Sequence, residues 1–200
     1  MADVKFANPA VVGLAGFGGT TLMLQFHNLG WMGVGPVFCA ALAFGGLMQL
    51  IAGYQEFQAG NNFGYSAFCS YGAFWIALGV IWLLLDMKAG GVTWVGKHLN
   101  ITGQDLGMFL LAYTIYTAIL FVGSFAVHFA MMLTFLTLLL GFIGLDLVFL
   151  AGMKGLLTIT ALDLVVCALL AWYMMAHVIF AQLFGRDILP VGKPLVRKGP

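Results

Sequence analysis

The sequence predicts an all-α polytopic membrane protein with six transmembrane helices, and three observations carry that reading. The 200 residues are 62% hydrophobic and 8% charged, with a mean hydropathy of +1.05, whereas soluble domains carry roughly 25% charged residues. No formal charge occurs from Phe6 to Gln55, Phe57 to Leu85, Leu106 to Leu145 or Leu164 to Gly185, and each stretch exceeds the ~20 residues that span a bilayer once. The apolar runs are continuous and lack the two-residue alternation of a membrane β-barrel.

Punctuation sets the elements. The first helix is expected from Pro9 to Asn28, with Asn8 as N-cap and Pro9 at the first helical position. The second runs from Pro36 to Tyr54, before a polar break from Gln55 to Asn62 that holds Glu56. The third spans Phe63 to Leu85, and the longest connection, Asp86 to Asp105, follows. The fourth covers Leu106 to Ser124, and a tight turn around His128 leads into a fifth that ends near Ile143. Gly144 to Gly155 reads as a break, and Leu156 to Leu183 as the sixth helix. Residues 1–200 thus form a single domain, with 183–200 as a polar tail, and Pro9 and the long first span argue against a cleaved signal peptide.

An even number of spans puts both termini on one side. Lys5, Arg186, Lys193, Arg197 and Lys198 then oppose Lys88, Lys97 and Lys154, an excess that favours cytoplasmic termini. The net charge of +1, with no basic patch, gives no sign of a nucleic-acid partner. Cys39, Cys69 and Cys167 fall inside expected spans without metal-ligand spacing and read as free, small apolar residues. No metal or cofactor motif, nucleophile–base pair or phosphate loop is visible, so an enzyme is not expected.

One spacing repeats. Phe17-Gly18 lies nine positions after Asn8, and Tyr71-Gly72 nine positions after Asn62. Nine helical residues rise about 14 Å, roughly half the hydrocarbon thickness. The same count into the fifth helix reaches Leu138. Three bulky groups at one depth on three helices read either as ordinary packing core or as an apolar constriction that excludes hydrated ions.

Polar groups in the spans need partners or water. Asn8, Thr20, Gln49, Asn62 and Ser70 are candidates for a substrate path, as uncharged donors that replace part of the hydration of a small carboxylate without trapping it. The helix N-termini at Asn8 and Asn62 add positive dipole ends. Asp163 is a carboxyl embedded in an apolar run, Leu162-Asp163-Leu164-Val165, and reads either as a proton site or as an interhelical hydrogen-bonding group. Abundant glycine, 27 residues, including Gly16, Gly18-Gly19 and Gly45-Gly46, fits close helix approach.

The segment from Ala7 through Asn8-Pro9-Ala10 to Phe17-Gly18 resembles the signature of the acetate uptake transporter family, that of the bacterial succinate–acetate permease. The likeness continues in His27-Asn28, Gly45-Gly46, Gly60-Asn61-Asn62-Phe63-Gly64, Ser70-Tyr71-Gly72-Ala73-Phe74-Trp75, Phe184-Gly185-Arg186 and Leu189-Pro190-Val191-Gly192. Val11 stands where the family motif has a second proline, and Asp163 where an apolar or small residue is expected. The resemblance implies six-helix protomers in a homohexamer and a pore for acetate, and in some members succinate, within each protomer. It implies a Phe, Tyr and Leu narrowing, here Phe17, Tyr71 and Leu138. The expected function is therefore a transporter or channel for acetate and similar small carboxylates, with proton symport as one driving mode, in the lipid bilayer of the cytoplasmic (inner) membrane. The alternative is a channel for ammonia or another small neutral molecule.

Overall fold

A computed structural model of the chain describes residues 7–196, which leaves Lys5, Arg197 and Lys198 of the charge argument, and the end of the tail, outside the described residues. Helices make up the described residues, with no strand among them. They are α1 (Ala10–Asn28), α2 (Val34–Leu42), α3 (Gln49–Gln58), α4 (Asn62–Ala89), α5 (Thr93–His98), α6 (Gly103–Ser124), α7 (Phe129–Phe149) and α8 (Leu157–Phe184). A π-helical segment, Ala43–Met48, joins α2 to α3 into one rod, Val34–Gln58, and a 3-10 turn, Lys154–Leu156, leads into α8. Among the described residues, five rods are long and apolar enough to cross a membrane: Val34–Gln58, Asn62–Ala89, Gly103–Ser124, Phe129–Phe149 and Lys154–Phe184. Helix α1, 19 residues long, is buried along Thr20, Thr21 and Gln25 and packs inside the bundle against α8, α3 and the π segment.

The long helices close a ring. α1 lies on α8, α8 on α7, α7 on α6, and α3 with the π segment on both α4 and α1, while α6 reaches α4 mainly through side chains. Glycine sets the closest approach. The Phe44 carbonyl, inside the wider π turn, faces Gly16 of α1, where a methyl group would collide with that backbone oxygen. A carbonyl cannot rotate aside as a side chain can, so glycine is required.

Several ends differ from the sequence reading. The second rod continues to Gln58, so Glu56 is a buried helical residue and not part of a polar break. The fifth expected helix continues past Ile143 to Phe149, which places Gly144 and Asp146 inside α7. A neighbour donates to each carboxyl: Asn61 Nδ2 to Glu56 Oε2 at 2.7 Å, and Thr114 Oγ1 to Asp146 Oδ2 at 2.6 Å, while Asp146 Oδ1 is buried without a partner among the described residues. The connection after Leu85 is partly helical, with α4 running to Ala89, α5 following, and a capping box of Thr102 and Asp105 starting α6.

The tail docks. Val191 O accepts from Ala130 N at 2.9 Å, Phe125 O accepts from Leu195 N and Val196 N, and Tyr173 Oη donates to Pro190 O at 2.8 Å. This strap lies along the α6–α7 turn, where His128 caps α7 by accepting from Met131 N at 3.1 Å. Burial, with the charge of His177 second, holds the His128 imidazole below the usual histidine range, which keeps Nδ1 available as that acceptor.

Gly16→Ala is expected to destabilise the protein by about 1–3 kcal/mol through overpacking, read as a lower thermal midpoint in detergent. Gly103→Ala, at the first residue of α6 where a methyl group meets open space, serves as control and should not lower the midpoint. Equal midpoints for both variants would contradict the close α1–π contact.

Candidate functional site

Two cavities lie inside the ring, and they share a wall. The larger, about 120 Å³, is bounded by residues near the end where α1, α4 and α7 begin, among them Ala10, Glu56, Asn61, Phe63, Val127 and Met131. The smaller, about 30 Å³, reaches toward the opposite end along Thr21, Leu24, Gln25, Trp75, Phe142 and Leu145. Phe17, Tyr71 and Leu138 line both. The structure therefore brings together the three residues that depth counting selected, one each from α1, α4 and α7. All three are buried, and the Phe17 and Tyr71 ring centroids lie 5.9 Å apart with the rings tilted by 55°, an arrangement worth about 0.5–1.5 kcal/mol beyond burial.

The wall is apolar and supported from behind. Tyr71 also meets Tyr113, Tyr116 and Phe135 at 6.4, 6.0 and 6.3 Å. Its hydroxyl does not face a cavity as a free donor: it pairs with Thr117 Oγ1 of α6 at 2.8 Å, and both side chains are buried. A direct Tyr71–carboxylate contact would have to break that bond.

Polar groups flank the wall on both sides. Gln49 lines the larger cavity, fully buried, and neither its Oε1 nor its Nε2 has a partner among the described residues. Thr134 lines the same cavity but spends its hydroxyl on Ala130 O of its own helix. On the other side, Thr21 and Trp75 line the smaller cavity, and Thr21 Oγ1 and Trp75 Nε1 are buried without a partner among the described residues. Gln25 is satisfied: it donates to Thr21 O at 3.2 Å and accepts from Asn28 Nδ2 at 2.9 Å. No lysine or arginine lines either cavity.

Of the other expected path residues, Gln49 alone lines a cavity. Asn8 is exposed and is not the N-cap expected from the sequence: Pro9 holds that position, α1 begins at Ala10, and Asn8, one residue outside, accepts at Oδ1 from Ala10 N at 2.9 Å. Thr20 is buried between α1 and the π segment, 3.5 Å from Ala40 O, and packs against Gly45. Asn62 is the exposed first residue of α4, and the cap is its neighbour Asn61, which accepts from Gly64 N at 3.2 Å. The equal spacing from Asn8 and Asn62 thus matches in position but not in role. Ser70 lies behind the wall, its carbonyl accepting from Tyr113 Oη at 3.5 Å. Asp163 lines neither cavity; its Oδ2 is buried on α8, without a partner among the described residues.

Sequence reasoning missed Asn61 and Glu56 at the cavity mouth. Asn61 both caps α4 and donates to Glu56, so the positive end of that helix already faces a carboxyl. The available signal was that carboxyl itself, between two long charge-free runs and five residues before an asparagine. Trp75 lies in the quoted Ser70–Trp75 motif, but nothing in the sequence marked its N–H as unpaired.

A bundle of apolar helices with two internal cavities meeting at one aromatic–aliphatic wall defines a polytopic membrane protein of the transporter and channel class. The chain belongs to the GPR1/FUN34/yaaH family, whose model matches residues 1–184. It is 32% identical over 194 residues to the succinate-acetate/proton symporter SatP of Escherichia coli K12, covering 96% of this chain and 99% of that protein. It is 34% identical over 176 residues to ammonia transport outward protein 2 of Saccharomyces cerevisiae, covering 84% of this chain and 60% of that protein. The solved structure of the bacterial acetate channel SatP matches with a TM-score of 0.84 and 31% identity, over 94% of this chain and all of that one.

Gln49→Leu removes two orphaned polar atoms at nearly constant volume. It is expected to raise the thermal midpoint, because a buried unpaired amide costs about 1–3 kcal/mol. A lowered midpoint would mean that Gln49 has partners in the folded protein.

Proposed function

We propose that the protein moves acetate and similar small carboxylates across the cytoplasmic membrane, through the larger cavity, past Phe17, Tyr71 and Leu138, and out through the smaller one. The observation that carries this reading is the shared wall: the same three apolar side chains bound both cavities, with unpaired donors on each side. Its chemistry follows from desolvation. An ionised carboxylate cannot leave water for an apolar gap without a large penalty, whereas the neutral acid loses far less. Gln49 on one side, and Thr21 with Trp75 on the other, offer hydrogen bonds to replace part of the shed hydration. Without lysine or arginine in the cavities, binding is weak and release fast. The relatives described as a succinate-acetate/proton symporter and as an acetate channel support the same substrate class.

The proposal takes α1 as the sixth crossing, with both termini cytoplasmic, and homohexameric assembly of protomers that each hold their own path and carry out no enzymatic chemistry. The yeast relative named for ammonia supports a second reading: an apolar wall also passes a small neutral amine. Labelled acetate uptake and ammonia flux, measured in the same proteoliposomes, separate the two.

Phe17→Ala and Leu138→Ala are expected to raise uptake of carboxylates larger than acetate relative to acetate itself. Unchanged flux and selectivity in both variants would remove the constriction.

Two acidic groups are candidates for a coupled proton, and they differ in position. Glu56 stands at the mouth of the larger cavity, whereas Asp163 lies off both cavities. An ionised Glu56 repels an incoming carboxylate, so its protonation on acidification favours loading. Glu56→Gln is therefore expected to flatten part of the rise in acetate uptake as pH falls, and Asp163→Asn to leave that rise intact. The reverse pattern would return the proton role to Asp163.

A further inference from the structure

Helix α6 is sewn to α4 by hydroxyl groups. Tyr116 Oη donates to Ser66 O at 2.9 Å, and Tyr113 Oη to Ser70 O at 3.5 Å. The third stitch joins Tyr71 Oη and Thr117 Oγ1 at 2.8 Å. It alone ends on a residue that lines both cavities. Thr117 is fully buried and lines neither, so it touches no substrate on the proposed route.

We infer that Thr117 is the positioning residue of the constriction: its hydroxyl fixes the Tyr71 ring and thereby sets the size of carboxylate that passes. The inference rests on the constriction reading above. The ring contacts with Phe17, Tyr113, Tyr116 and Phe135 are broad and apolar, and such contacts allow a ring to slide. A hydrogen bond is directional, and this one grips the ring at its far tip, where a small rotation moves the edge most. Tyr71 Oη makes no other hydrogen bond among the described residues. Swinging the ring away to widen the gap would strand two hydroxyls in a dry seam, where no water replaces the bond. The closed position is therefore the resting one, and Thr117 holds it.

The test uses full-length protein in proteoliposomes, with uptake of acetate, propionate and butyrate normalised to incorporated protein. Thr117→Val keeps the shape and removes the hydroxyl; it is expected to raise the butyrate-to-acetate ratio about fivefold, the equivalent of one lost hydrogen bond. Thr117→Ser restores the hydroxyl and should return the ratio to that of the unaltered protein. Tyr71→Phe removes the same bond from the other side, gives the readout if Thr117→Val does not fold, and should match it. The double variant should go no further than either single one. An unaltered ratio in Thr117→Val, or additive effects in the double variant, would overturn the positioning role while Phe17→Ala still shifts selectivity. If Phe17→Ala and Tyr71→Ala both leave the ratio unaltered, the constriction falls and this inference with it.

Discussion

Tyr71 carries a hydroxyl into a seam between helices where no water can serve it, and Thr117 is the partner it finds there. Within a bilayer that requirement is strict, because an unpaired polar group has no solvent to fall back on. Meeting it fixes more than one side chain. With the Tyr71 tip held against α6, its ring lies against Phe17 and, with Leu138, forms the wall that the two cavities share. The ring of helices supplies the frame, and the Phe44–Gly16 contact draws α1 close enough to bring Phe17 up to that ring.

The same rule sorts the other buried polar groups. Gln25, Thr20, Ser66 and Thr134 have partners within reach, and they serve to hold helices. Gln49, Thr21 and Trp75 do not, and all three line cavities. A fold that satisfies so many of its polar groups carries a cost at those three positions, in the places where a passing polar molecule would find them. Asp146 Oδ1 and Asp163 Oδ2 are orphaned as well among the described residues, but neither residue lines either cavity, and the structure gives no physical account of them.

The fold was legible where physics acts locally. Charge-free runs located the spans, since bilayer thickness sets their length. The wall was legible for a related reason: equal depth on helices running the same way is a matter of counting, and it reached Leu138 as well as Phe17 and Tyr71. What failed was the reading of single charges. Glu56 and Asp146 look like water-exposed breaks in a sequence, but each accepts a hydrogen bond from one neighbour, Asn61 or Thr114, and the second of these is 32 positions away. The π segment left no compositional trace, and Thr117 reads as one more threonine on an apolar helix. Long-range hydrogen bonds decide these features, and spacing along the chain does not encode them.

The position of Glu56 changes how the proposed path discriminates. An anion route is commonly imagined as a run of positive potential, and the start of α4 would provide some. Here Asn61 fastens a carboxyl to that helix end, so its partial positive charge is already answered before a substrate arrives. Attraction is therefore weak along the whole route, and selection falls to what the wall refuses. A hydrated ion is refused because its shell does not fit and cannot be stripped cheaply. On the proposed route a longer carboxylate is what the Tyr71 ring would refuse for as long as Thr117 holds it. A small acid that sheds its charge meets neither objection, so a path of this kind trades affinity for throughput and keeps its specificity in one aromatic ring.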